Sequence, residues 1–112
     1  MMRFEYLVVL FASAVAMNAA AMRFGGWSPI KNINDPHVTE IANFAVTEYV
    51  KRSGAKLKLE KVIKGDTQVV AGINYRLVLA ANDGSSSNNY EAVVWEKWEH
   101  FRNLTSFTPV HA

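Results

Sequence analysis

Cysteine is absent from this chain of 112 residues. That excludes a disulfide framework, a thiol nucleophile and any cysteine-ligated metal site. A marked excess of one charge is also lacking: Lys and Arg number 12 against 10 Asp and Glu, a formal net charge of +2. So even a balance makes no concentrated field for nucleic acid. Nor is there a run long enough to span a bilayer: the oily stretch from Leu7 to Ala16 falls short of the about 20 apolar residues a spanning helix needs. Hydrophobic residues make up 50% and charged residues 20%, which fits a folded domain and not wholesale disorder. The length allows one hydrophobic core, not two. Composition leaves a compact binding domain or a very small enzyme.

The first residues read as an export segment. Met1-Met2-Arg3-Phe4-Glu5 precedes an uncharged run from Tyr6 to Met22 that ends in small residues. A charged start, a short apolar stretch and a small-x-small site describe a secretory signal. Two cuts fit, after Ala16 (Ala14-Val15-Ala16) or after Ala21 (Ala19-Ala20-Ala21). The domain plan is a signal peptide over 1–21 and one domain over 22–112; the alternative is a retained N-terminal anchor. Export implies a secreted or vacuolar protein, free of the membrane once the signal is removed.

Asp35-Pro36 announces a helix, because Asp caps well and Pro suits the first helical position. Val38, Ile41, Ala42, Ala45, Val46 and Tyr49 then form one apolar stripe, with Thr39, Asn43, Thr47 and Lys51 opposite and Phe44 at the margin. Lys51, Arg52 and Gly54 suit the end, so the spacing predicts a helix over 36–52. After Gly54 the period becomes two. Leu57 and Leu59 alternate with charged residues, and the phase slips at Lys61-Val62-Ile63, which predicts a bulge. Gly65-Asp66 reads as a turn. Ile73 to Leu79 and Tyr90 to Trp95 alternate as strands around a polar loop, Asn82 to Asn89, and Phe101 to Val110 is a last extended stretch. Helix first and strands after gives an α+β fold, an antiparallel meander over the helical stripe.

In a meander, alternate turns fall at the same end of the sheet. A turn near 65–72 and one near 96–99 then share an end. A short strand near Trp27 to Lys31, paired with the strand after the helix, would begin there too. That end would gather Gly25 and Gly26, the segment Gln68-Val69-Val70-Ala71-Gly72, and Trp98 beside Lys97. An apolar edge rimmed by polar groups marks a partner site, and exposed tryptophan is a favoured anchor. The plainer reading has Val69 and Val70 merely opening a strand and Trp98 folded inward.

These residues resemble the plant cystatins, inhibitors of papain-like cysteine proteases. The family shows a glycine pair near the mature N-terminus, here Gly25-Gly26, and a Gln-x-Val-x-Gly loop, here Gln68 to Gly72. It carries a tryptophan in the second hairpin loop, here Trp98, and an aliphatic-Ala-x-Phe-Ala-Val helix pattern, here Ile41-Ala42-Asn43-Phe44-Ala45-Val46. All four occur in order between about Gly25 and Phe107. Lys97 stands where the family usually has Pro, Ala or Leu; Asn43 replaces a charged residue, and Val50 a common Asn. The resemblance implies a cystatin-like fold, with a sheet of four to five strands wrapped around one helix. It implies a monomer that uses no cofactor or metal and inhibits reversibly and non-covalently. Gly25, Gly26, Gln68, Val69, Val70, Ala71, Gly72, Lys97 and Trp98 would form a wedge entering the protease cleft. The longer plant forms that also block legumain carry a second cystatin-like extension, so that activity is not expected of a chain ending at Ala112.

Two other function classes compete with this reading. As an enzyme, the chain offers only His37, His100 and His111, with no metal spacing. His37 is expected on the surface, His111, one residue from the end, is expected to fray, and His100 with Lys97 and Glu99 reads as a solvated strand face. Ser85 to Ser87 lack the setting of a nucleophile elbow. As a secreted binding module, the same fold would serve a non-protease partner. Asn103-Leu104-Thr105 is an N-glycosylation sequon, or an unused surface pair in a strand; a glycan there is expected off the apex of the third turn, where it need not block the wedge.

Overall fold

The computed structural model of the chain describes residues 26–110. The expected signal segment over 1–21, Gly25 and His111 lie outside the described residues.

The helix α1, Pro36–Ser53, starts where an aspartate can cap it. The Asp35 carboxylate accepts from the His37 backbone N–H at 2.8 Å. Gly54 ends it in the left-handed region (φ 76°), with its N–H bonded to the Val50 carbonyl. Val38, Ile41, Ala42, Ala45 and Val46 are buried. The two alanines, both fully buried, let the sheet approach the helix closely.

Five strands follow the chain in order across one antiparallel sheet: β1 (Ser28–Pro29), β2 (Lys58–Val69), β3 (Ile73–Asn82), β4 (Ser87–Glu96) and β5 (Arg102–Pro109). The helix is inserted between the first two. Its stripe meets Tyr75, Leu77 and Leu79 of β3, Ala92 and Val94 of β4 and Leu104 of β5. Tyr49 stacks on Phe107 with centroids 4.2 Å apart, closing the core toward the last strand. The phase slip expected at 61–63 takes the form of two register shifts, between Leu59 and Lys61 and between Val62 and Lys64. Each adds a residue to β2 and sharpens its twist, which bends the sheet around the helix.

Gly65-Asp66 is not a turn. Gly65 is buried within β2 opposite Leu77, and Asp66 opposes Arg76. A Cβ on Gly65 would lie 2.6 Å from Leu77 Cδ2 and 2.9 Å from Ile30 Cδ1. The glycine is there for close approach, and the chain reverses later, at Val70–Gly72. The polar loop is also shorter than expected, because the strands run on to Asn82 and start again at Ser87. Only four residues turn, held by the Asp83 carboxylate, which accepts from the N–H groups of Ser85 and Ser86. Those bonds hold the Asp83 carboxyl below the usual range.

Candidate functional site

The register puts both hairpin tips at one end. Val69 and Ile73 are the last pair of β2 and β3. Ile73 also pairs with Glu96, the final residue of β4, and Glu96 pairs with Arg102, the first of β5. The segments 70–72 and 97–101 therefore leave the sheet at the same level. β1 reaches that end from the other side. Ser28 pairs with Thr67, so the chain before it, Trp27 and Gly26, runs alongside Gln68 and Val69. Trp27 is fixed there by the Arg76 guanidinium, 4.3 Å from its ring centroid.

The first tip is tight. The Val70 N–H bonds back to the Gly72 carbonyl at 3.0 Å. Ala71 (φ 47°) and Gly72 (φ 129°) both have positive φ. Gly72 has a second reason to be glycine: an added Cβ would lie 2.7 Å from the Glu96 carbonyl oxygen and 3.1 Å from Trp95 Nε1. The tip thus lies directly against the neighbouring strand. The Trp95 indole N–H donates to the Val70 carbonyl at 3.2 Å, tying tip to strand. At its base the Asn74 amide donates to Gln68 Oε1 at 3.1 Å, so Gln68 shapes the hairpin. What this frame presents is apolar: Val69 is 77% exposed and Val70 47%.

The second tip is a single 3₁₀ turn, Trp98–His100, closed by a bond from the Lys97 N–H to the Phe101 carbonyl. Trp98 is 72% exposed and Phe101 60%. The Lys97 ammonium stands over both Trp95 and Trp98, 5.7 and 5.3 Å from the centroids. Trp98 and Val69 thus share one end, and neither is folded inward.

Beneath this turn lies a charged cluster that the sequence did not reveal. Glu96 accepts from Arg102 Nε at 2.9 Å, and its other oxygen lies 2.8 Å from His37 Nε2. Arg102 Nη2 also donates to Glu40 at 2.9 Å. Burial acts to raise the Glu96 pKa, but hydrogen bonds and charge from His37 and Arg102 outweigh it and hold the carboxyl below the usual range. Arg102, by its hydrogen bond and then its charge, holds Glu40 down as well. His37 is therefore not a free surface residue: it ties the helix start to the loop base. His100 is in the 3₁₀ turn and not on a strand face, with Nδ1 3.7 Å from Glu96 Oε2. Phe101, expected as the start of the last extended stretch, instead precedes β5 and is exposed at this end. Among the described residues no group of His, Asp or Glu is arranged to hold a metal ion.

Of the residues singled out from sequence, Gly26, Gln68, Val69, Val70, Ala71, Gly72, Lys97 and Trp98 are brought to this end. Asn103 is exposed on β5, opposite Trp95.

Comparison with known proteins adds relatives to this geometry. Residues 30–110 match the family model described as SQAPI: Aspartic acid proteinase inhibitor. The chain is 58% identical over 107 residues to Cysteine proteinase inhibitor 5 of Arabidopsis thaliana, covering 94% of this chain and 83% of that protein. It is 58% identical over 87 residues to Cysteine proteinase inhibitor 1 of Actinidia chinensis, 77% of this chain and 75% of that one. Among solved structures, a salivary cystatin from the soft tick Ornithodoros moubata superposes with a TM-score of 0.67 at 22% identity, covering 78% of this chain and 98% of the other. That likeness speaks for the fold alone.

Proposed function

This chain belongs to the plant cystatin family of proteinase inhibitors, and from that membership we propose that it blocks papain-like cysteine proteases by reversible, non-covalent occupation of the active-site cleft. Its relatives are inhibitors and not enzymes. The observation that carries the mechanism is the placing of Val69, Val70 and Trp98, exposed, at one end of a braced sheet. The tips enter as a wedge with the glycine segment alongside. Glycine lets the backbone lie against a cleft wall without a side-chain clash. The valines and the indole bury apolar area at about 25 cal/mol per Å². A tip already held by Trp95 and Gly72 loses little entropy on docking, so more of the contact energy appears as affinity. Cleavage needs a substrate carbonyl about 3–3.5 Å from the nucleophile and correctly aimed; a stiff tip that presents none survives intact.

The inhibitor acts as a monomer, reaching a secreted or vacuolar location through the signal segment 1–21. Titration against papain tests the reading: stoichiometric, reversible inhibition is expected, and retention on thiol-blocked papain should accompany it. Failure of both leaves a module with a non-protease partner. The matched family model is described by another target class, so pepsin belongs in the same titration. Inhibition of pepsin alone would replace the cysteine-protease assignment with an aspartic one.

A further inference from the structure

We propose that Asn103 is an N-glycan acceptor and that its glycan, rooted beside the two tips, slows docking onto the protease. The proposal rests on the export and inhibitor readings above. Asn103-Leu104-Thr105 meets the acceptor pattern, and the fold presents it well. Leu104 is 4% exposed and packs inward, and its carbonyl is held by Arg52 Nη1 at 3.0 Å. Its two neighbours, Asn103 and Thr105, are exposed. The register steps from Leu104–Val94 to Ser106–Val93, which leaves Thr105 as the unpaired residue of a bulge. The acceptor and its hydroxyl partner thus stand in solvent while the residue between them anchors the strand.

Position gives the glycan its effect. Asn103 faces Trp95, one pair back from the last ladder pair, Glu96–Arg102. At about 3.3 Å per residue, that is a single step from where the second loop leaves the sheet. The Trp95 indole holds the first tip through Val70 and packs edge-on to Phe101 of the second, 6.3 Å between centroids. A glycan is bulky and hydrated. Rooted here, it sweeps the space beside both tips without altering their contacts, so it lowers the association rate and leaves dissociation unchanged. β5 also ends the sheet. A glycan on that strand hinders the edge pairing to which an unpaired strand is prone.

The full chain is produced through the secretory pathway of plant cells and compared with Asn103→Gln and Thr105→Ala. The expected result is a mass excess removed by peptide N-glycosidase and missing from both variants. Stopped-flow binding to papain should be several-fold slower for the glycosylated protein than for Asn103→Gln, with equal dissociation. A product without the excess mass, or an excess that survives in Asn103→Gln, overturns the acceptor assignment. Equal association rates overturn the docking effect. If neither form inhibits papain, the inhibitor reading fails and the docking effect with it, while the mass shift still decides the acceptor.

Discussion

His37 Nε2 lies 2.8 Å from Glu96 Oε1, so the first turn of the helix is joined to the strand residue from which the tryptophan loop departs. Glu96 also takes the Arg102 guanidinium on its other oxygen, from the first residue beyond the loop. One nearly buried carboxylate thus gathers both ends of the loop and the helix start. Replacing Glu96 by Ala leaves Arg102 without that partner and should cost on the order of 2 kcal/mol of stability, in line with loss of hydrogen bonds to a charged group. Urea denaturation measures this. His37→Ala removes one of the two partners and should cost less.

The same carboxylate sets a pH dependence. The Glu96 pKa is depressed in the folded state. A depressed carboxyl contributes stability that is present above its unfolded value, about 4.3, and lost as pH falls through the folded one. The urea midpoint should hold steady from neutral pH down to about 5 and then fall on further acidification. Glu40 is shifted in the same direction, but it is exposed and its share is screened by solvent. In Glu96→Gln the acid decline should be shallower. An unchanged acid slope would mean that this group is not what titrates.

Two glycines with positive φ make a controlled comparison. Gly72 is at φ 129°, with the Glu96 carbonyl where a Cβ would go; Gly54 is at φ 76°, with open space around it. Gly54→Ala should cost about 1 kcal/mol of stability from the left-handed conformation alone and leave protease inhibition intact. Gly72→Ala meets both strain and collision. It should cost more stability and push the first tip off Trp95, weakening papain inhibition at least tenfold, about 1.4 kcal/mol. Equal effects of the two changes on inhibition would separate the tip from the binding site.

The helix and the order of strands were legible because local signals agree there: Asp35-Pro36 and Gly54 bracket a stripe of period 3.6, and the later strands alternate. Gly65 misled because glycine marks turns and close approaches alike. Only the third dimension, with Leu77 and Ile30 at contact distance, separates the two. The tips could be inferred because a meander returns to the same end at alternate turns. The brace beneath them could not. His37 and Glu96 are 59 residues apart, and Arg102 and Glu40 are 62 apart, with no local pattern to join them. Trp95 reads in the sequence as an ordinary strand residue, because its N–H meets the Val70 carbonyl across 25 residues of chain.

That last contact separates bracing from binding. Trp98 is 72% exposed and Trp95 is bonded beneath the first tip. Trp98→Ala should therefore leave stability within about 0.5 kcal/mol of the parent, as surface changes usually do. Its cost should appear in affinity for papain, on the order of 2 kcal/mol, as for an aromatic anchor. Trp95→Phe keeps a ring but loses the hydrogen bond to Val70, leaving that tip freer before docking. Affinity should fall by about 1 kcal/mol, from the ordering a loosened loop must undergo on binding. Since that deficit is entropic, isothermal titration should show it mainly in the entropy, whereas Trp98→Ala loses direct contact. Gly26→Trp should weaken inhibition by crowding the third element of the same end. Unchanged affinity in both Trp98→Ala and Gly26→Trp would exclude the wedge, because no cleft could then be touching this end of the molecule.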